Sequence, residues 1–292
     1  FFFLAGVGAW WRHLERPGAG RAALSAVVLG LACVAKFSAL LLAPMFALCA
    51  LVWLAGRVRA DGWRAPLARL ARTSALHIAV AWAIIWLFYG FRFSAFAPSV
   101  AAGANFNHGW AWLVSDLGWP RAIILRLREW HALPDAFLYG FTFVVQFAKE
   151  RGAFLNGDYS VTGWAGFFPY AFLVKTTLPF LLLLLAGAFA LARTGWKNLR
   201  GQLRPWTPLL ALFGVYWATS ITSHLNIGHR HILPTYPVLF IAAGAFGAWL
   251  DVRRPLAALL VGALALWHVG ESWAARPNYL AYFNAFAGGT PN

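Results

Sequence analysis

The chain has 292 residues, of which 61% are hydrophobic, with a mean hydropathy of +0.64. Only 11% are charged, against roughly 25% in a soluble domain, and the apolar set includes 17 Trp and 25 Phe. A water-soluble globule of this size could not hide so much apolar surface, and a disordered chain would not carry it. The class that remains is a polytopic membrane protein.

The charge is lopsided, with 24 Lys and Arg against 9 Asp and Glu, a net +15. In a soluble protein this would suggest nucleic acid. In a membrane protein, cytoplasmic loops collect Lys and Arg, and that explanation comes first.

In chain order, the sequence opens in an apolar run, Phe1 to Trp11, without an initiator Met. The run is shorter than the roughly 20 residues a spanning helix needs, so the chain reads as a fragment lacking its N-terminal part. Longer apolar runs are predicted to span at about 22–55, 73–91, 166–192, 206–222, 232–250 and 255–270. Basic clusters separate them: Arg12, Arg16 and Arg21; Arg57, Arg59, Arg64, Arg69 and Arg72; Arg193, Lys197, Arg200 and Arg204; Arg253 and Arg254. If all four are cytoplasmic, the run 22–55 must leave and return. As one helix it would be about 51 Å long, against a hydrocarbon core of about 30 Å. Two short helices with Lys36 near the outer turn are therefore expected. Fourteen of the 24 Lys and Arg then lie inside and eight outside, so nucleic acid is not needed to explain the excess. Cys33 and Cys49 sit in apolar runs and read as buried thiols.

The long connection 92–165 falls outside. Loops of that length are usually functional. Pro120 to about His131 is predicted to form an amphipathic helix with Ile123, Ile124, Leu127 and Trp130 on one face and Arg121, Arg128 and Glu129 opposite. Such a helix lies on the membrane surface or packs on neighbouring spans. The segment 271–292 is read as the start of an outer C-terminal segment, and residues 1–292 as a single transmembrane domain.

Several residues could carry chemistry. Charge inside a membrane is costly and is a functional hypothesis by default. Lys36 could act at the outer interface or simply snorkel. Lys175 could pair with an acid or hold a lipid phosphate. The stretch Ser223–His231, with His224, Asn226, His229, Arg230 and His231, is the densest polar cluster. Three His could ligate a metal, but no matching ligand group stands out, and no metal is assigned. An anionic group suits His, Arg and the Gly228 backbone better; a solvated turn is the plain alternative. Asp158, beside Tyr159 and near Trp164, is either a site acid or a turn cap. Aromatic rings here could stack on sugar or mark the membrane interface. No Walker loop, GxGxxG or zinc signature occurs, and no cofactor is expected.

The stretch Asn226-Ile-Gly-His-Arg-His-Ile-Leu-Pro-Thr-Tyr-Pro237 resembles a motif of bacterial family 39-like glycosyltransferases. These are GT-C-fold enzymes that use a phospholipid carrier and are related to protein O-mannosyltransferases. Three more stretches are similar to that family, in its order: Gly30–Ala39 with Lys36; Phe154–Ser160 on through Gly163, Trp164 and Pro169 to Lys175; and Pro277–Asn284 followed by Gly288-Gly289. The resemblance implies an all-α bundle of GT-C type in the bacterial inner membrane, with a long extracytoplasmic loop carrying an interfacial helix. It implies a hexosyl- or mannosyl-type transferase working on the extracytoplasmic face. The donor would be a polyprenyl-phosphate sugar, and the acceptor a hydroxyl of a protein or glycolipid. Lys36, Lys175, His229 and Arg230 would stabilise the phosphate leaving group, with Tyr159, Trp164, His224 and Asn226 as further substrate contacts. A carboxylate must take the acceptor proton. The family places that Asp upstream of Phe1, which leaves Asp158 as the best acid in this chain and implies an inactive fragment. Two other functions stay open: a transporter or flippase for a lipid-linked anionic substrate, and a non-catalytic binder of polyprenyl phosphate.

Overall fold

The structure is a computed structural model that describes residues 1–97, 105–193, 196–245, 247 and 255–289, apart from the side chains of 59–61 and 196–202. The described residues form twelve α-helices and one two-stranded hairpin. They fall into two compact units, Phe1–Arg151 and Gly152–Asn292. The boundary lies inside the stretch read from sequence as one loop, 92–165. The basic pair Arg253 and Arg254, the side chain of Arg59 and those of Lys197 and Arg200 lie outside the description.

The first unit begins with four apolar helices, α1 (Phe2–Glu15), α2 (Ala19–Ala35), α3 (Leu42–Asp61) and α4 (Arg64–Phe88). The chain breaks at Lys36, whose backbone is extended, and a short 3-10 turn, Phe37–Leu41, leads into α3. The run 22–55 is therefore two helices with Lys36 between them. Both pack on α1, and α2 packs closely on α4. Gly30 permits that approach, because a Cβ there would sit 3.2 Å from the Ala81 Cα. Buried polar side chains tie the helices. His77 donates from Nδ1 to the Thr73 carbonyl (2.8 Å), and its Nε2 is 3.0 Å from Ser25 Oγ. Trp10 donates to the Phe46 carbonyl at 3.0 Å. An apolar interior leaves such groups no water, so each must find a partner in the protein.

Three shorter helices follow: α5 (Trp110–Leu113), α6 (Pro120–Glu129) and α7 (Asp135–Phe147). Helix α6 starts where its sequence predicts, with Pro at its first position. Its apolar stripe divides, however. Ile124 is buried against Val114 and Leu117, whereas Ile123 and Trp130 stay exposed. Nor is Arg128 simply on a solvated face: it donates to Asp135 Oδ1 at 2.7 Å and lies over the Trp110 ring. Helix α7, 13 residues and apolar, is too short to span and lies within the stretch 92–165.

The second unit opens with the hairpin β1 (Ala153–Leu155) and β2 (Asp158–Ser160). Asn156 and Gly157 both have positive φ (52° and 95°), the turn that two-residue hairpins favour. An all-α reading missed this element, although the Asn-Gly pair signalled it. Helices α8 (Phe167–Lys175), α9 (Leu178–Arg193), α10 (Trp196–Thr222), α11 (Tyr236–Gly244) and α12 (Pro255–Ala274) complete the unit. The expected continuous span 166–192 is broken: α8 and α9 meet at 111° across Thr176 and Thr177. Pro179 falls in the first turn of α9, where its missing N–H costs nothing. Helix α12 reaches Ala274, four residues beyond the apolar run 255–270.

Among the described residues, three helical stretches are long and apolar enough to cross a membrane: Phe37–Val58, Arg64–Phe88 and Pro255–Ala274, with the bent α8–α9 pair as a fourth if counted as one. Helices α9 and α11 pack backbone to backbone at Gly187, where a Cβ would collide with the Ala242 carbonyl oxygen and lie 3.1 Å from the Ala243 Cα. Gly187→Ala is expected to destabilise the protein by about 1–3 kcal/mol. Gly214→Ala, at a helical position with open space, should be neutral or stabilising, since Ala favours helix. Thermal unfolding in detergent of the two variants checks the contrast.

Candidate functional site

The second unit contains a cavity of about 500 Å³. Its walls come from three distant parts of the sequence: the α8–α9 break (Lys175, Thr176, Thr177), the turn before α11 (Ile227–Arg230) and the end of α12 with the segment after it. The break places Lys175 at the last position of α8. With no further turn of helix above it, the ammonium is free to bend across to residues 279–283. It donates to the Leu280 carbonyl at 2.9 Å and the Tyr282 carbonyl at 3.3 Å, and stands 3.8 Å from the centre of the Phe283 ring. None of these partners is an anion, so the positive charge is solvated by dipoles and a ring face but not neutralised.

Asn284 fixes this arrangement. It is almost fully buried. Its Nδ2 donates to the carbonyls of Leu173 (2.6 Å) and Thr176 (2.8 Å), and its backbone N–H to that of Val174 (2.9 Å). The last carbonyls of a helix have no partner within it, and here a residue more than a hundred positions away supplies one.

A second chain of hydrogen bonds crosses the cavity wall. His229 Nδ1 donates to the Ala171 carbonyl at 3.2 Å, which leaves Nε2 to accept from the Tyr236 hydroxyl at 2.6 Å. The same hydroxyl is 2.7 Å from Thr176 Oγ1. Burial lowers the His229 pKa from its ordinary value, and the nearby Lys175 ammonium adds to this, against the Ala171 hydrogen bond. His229 is therefore a neutral, positioned ring at neutral pH, not a cation. The sign follows. A histidine with a lowered folded pKa contributes its stability in full above about pH 6.5, and loses it as pH falls through the folded value. The Tm gap between the native chain and His229→Gln should accordingly narrow from pH 8 to pH 5. A gap constant over that range would contradict the assignment.

The carboxylate of the cavity is Glu271, which accepts from the Tyr282 hydroxyl at 2.7 Å. Burial and that carboxylate push the Tyr282 pKa up, so the phenol stays protonated and donating. His268, Glu271 and Ser272 line the cavity from α12, and Ala275 from just past its end. The spacing of His268, Glu271 and Ser272 puts them on one helical face, and two of the three lie beyond the predicted span 255–270. Arg230 stands exposed at the rim and makes no hydrogen bond or ion pair among the described residues.

Of the residues expected to form the site, the cavity gathers Lys175, His229 and Arg230. The others lie elsewhere. Asp158 is exposed at the start of β2, opposite Leu155, and the Tyr159 ring packs at a tilt against Phe154 on the hairpin surface. Trp164 packs against the core formed by Phe167, Phe168, Ala171 and Ile232. Asn226 Oδ1 accepts from the Trp164 backbone N–H at 2.6 Å, and Gly163, with φ of +66°, leaves no room there for a side chain. Asn226 therefore ties two loops together. His224 Nδ1 meets the Thr162 carbonyl at 2.6 Å. His231 packs against Phe168 and Tyr216, so the three His of the cluster serve three different neighbours. Lys36 is exposed and belongs to the first unit.

Chemically, the cavity offers two cations, one carboxylate, neutral donors and acceptors, and walls of Phe180, Leu233, Tyr236 and Phe240. That set suits an amphiphile with an anionic group. No protein-family model matches the chain, and neither does any curated protein or solved structure.

Proposed function

We propose that the protein is a membrane glycosyltransferase of GT-C type that holds a polyprenyl-phosphate sugar donor in the Lys175–Arg230 cavity, on the extracytoplasmic face of the bacterial inner membrane. One observation carries the reading. Three of the four stretches that resemble family 39-like glycosyltransferases, far apart in sequence, line this one cavity with Lys175, with Ile227–Arg230, and with Tyr279, Leu280 and Tyr282. Lys175 and Arg230 would bind the phosphate and stabilise the charge that builds on it as the sugar leaves. The neutral His229–Tyr236 pair would donate or accept at the phosphate edge. The aromatic and aliphatic wall would take the first isoprene units. Glu271 is the carboxylate within the cavity and could receive hydrogen bonds from sugar hydroxyls. Removal of the acceptor proton is assigned to no residue of this chain.

The 111° break between α8 and α9 favours a second reading, since transporters also build anion sites at interrupted helices. Two measurements separate them. In detergent, the chain should bind undecaprenyl phosphate, and Arg230→Ala should weaken binding about tenfold while leaving the fold intact, as expected for one charge-assisted hydrogen bond. In membranes from cells expressing the full coding sequence, labelled sugar should pass from the lipid donor to an acceptor and be lost in Arg230→Ala. Lipid translocation across liposomes without sugar transfer would instead establish the transporter.

A further inference from the structure

The first unit holds its own cavity, of about 490 Å³, where α1 ends and α2 begins. Trp11, Arg12, Glu15, Arg16, Arg21 and Leu24 line it. Three guanidinium groups thus face one space with one carboxylate among them. A helix C-terminus attracts cations because its carbonyls lack partners, but here those carbonyls are already served. The Arg12 carbonyl accepts from the Arg16 N–H (3.0 Å), those of His13 and Leu14 from Arg69 (3.1 and 3.0 Å), and that of Arg16 from Arg21 (3.2 Å). The side chains of Arg12 and Arg16 make no hydrogen bond or ion pair among the described residues, and both are exposed. Capping therefore does not account for them.

The cavity also opens onto an apolar track. Leu24 and Val27, three residues apart on α2, are 59% and 40% exposed, and the rest of α2 is free of charge. Cations gathered above an exposed aliphatic stripe match a molecule with a phosphate at one end and acyl chains at the other.

The geometry assigns this cavity as a binding site for the phosphodiester headgroup of an anionic phospholipid, held by Arg12, Arg16 and Arg21, with an acyl chain along Leu24 and Val27. It is separate from the Lys175 cavity, and in the sequence-based topology it lies at the cytoplasmic end. The inference rests on the membrane part of the proposed function but not on the sugar carrier.

The test is native mass spectrometry of the purified chain in detergent, titrated with phosphatidylglycerol or phosphatidylcholine. Phosphatidylglycerol should bind at least about tenfold more tightly. Arg12→Gln/Arg16→Gln should abolish that preference, and Arg12→Lys/Arg16→Lys should keep part of it. The thermal unfolding midpoint in detergent should stay unchanged in both variants, which shows that they fold. Equal retention of the two lipids by the native chain overturns the site. Millimolar pyrophosphate that displaces phosphatidylglycerol, and binds as well alone, overturns the lipid assignment in favour of a soluble phosphate. Carbonate extraction of the native chain from membranes is the separate control: release would refute the membrane reading itself, whatever the lipid titration gives.

Discussion

Asn284→Leu is expected to be the most damaging single change in the second unit. The side chain is nearly the same size, so packing changes little, but its two donated hydrogen bonds vanish. The carbonyls of Leu173 and Thr176 are then left at a helix end covered by protein. An unsatisfied buried acceptor costs about 1–3 kcal/mol, so the two together should remove several kcal/mol. Asn284→Asp should be as harmful for a different reason, because a carboxylate would face the same two carbonyls without a proton to give. The damage should be local first. Residues 277–289 are held to α8 by Asn284 and by Lys175, so their amides should exchange hydrogen faster and proteases should cut there. Binding of undecaprenyl phosphate should fall in parallel, since Tyr279, Leu280 and Tyr282 form one wall of the cavity. A loss below about 0.5 kcal/mol, within the range of ordinary surface changes, would show that the remote cap is idle.

That cap also explains which parts of the molecule could be read from sequence. Composition and apolar run length announce the helices. The cost of one 34-residue helix called for a break near Lys36, and the chain breaks there. Lys175, His229 and Arg230 stood out because charge and imidazole beside apolar runs require a reason. What local pattern does not encode is pairing over distance. Asn284 looks like a polar residue in a tail, and only the open end of α8 gives its amide a use. Glu271 falls one residue past the apolar run 255–270; one more turn of α12 puts it on the same face as His268. Asp158 attracted notice for the opposite reason. It is a carboxylate among aromatics, but the hairpin strand that follows the Asn156-Gly157 turn is exposed on both faces there, and Asp158 with it. The break at Thr176 was missed because apolar residues run on both sides of it, and hydropathy is blind to a change in direction.

Lys175→Met should separate the two duties of that side chain. The substitution keeps the length and removes the charge. Undecaprenyl phosphate binding should drop about 10–100-fold, the equivalent of a lost hydrogen bond to an ionised group at about 1.5–3 kcal/mol. The 277–289 segment should loosen as well, because the Leu280 and Tyr282 carbonyls lose their donor. Arg230→Ala, by contrast, should weaken binding without loosening the segment, as its side chain ties none of the described residues. Lys175→Arg should not restore full affinity: the planar guanidinium cannot replace a compact ammonium that sits between two carbonyls and 3.8 Å over Phe283. In the native chain, raising the salt should weaken binding mainly through Arg230, which is exposed and screened, and little through Lys175. The salt dependence should therefore flatten in Arg230→Ala and persist in Lys175→Met. Binding by Lys175→Met within twofold of the native chain would remove Lys175 from the phosphate site and leave it only the role of holding Leu280 and Tyr282 against α8.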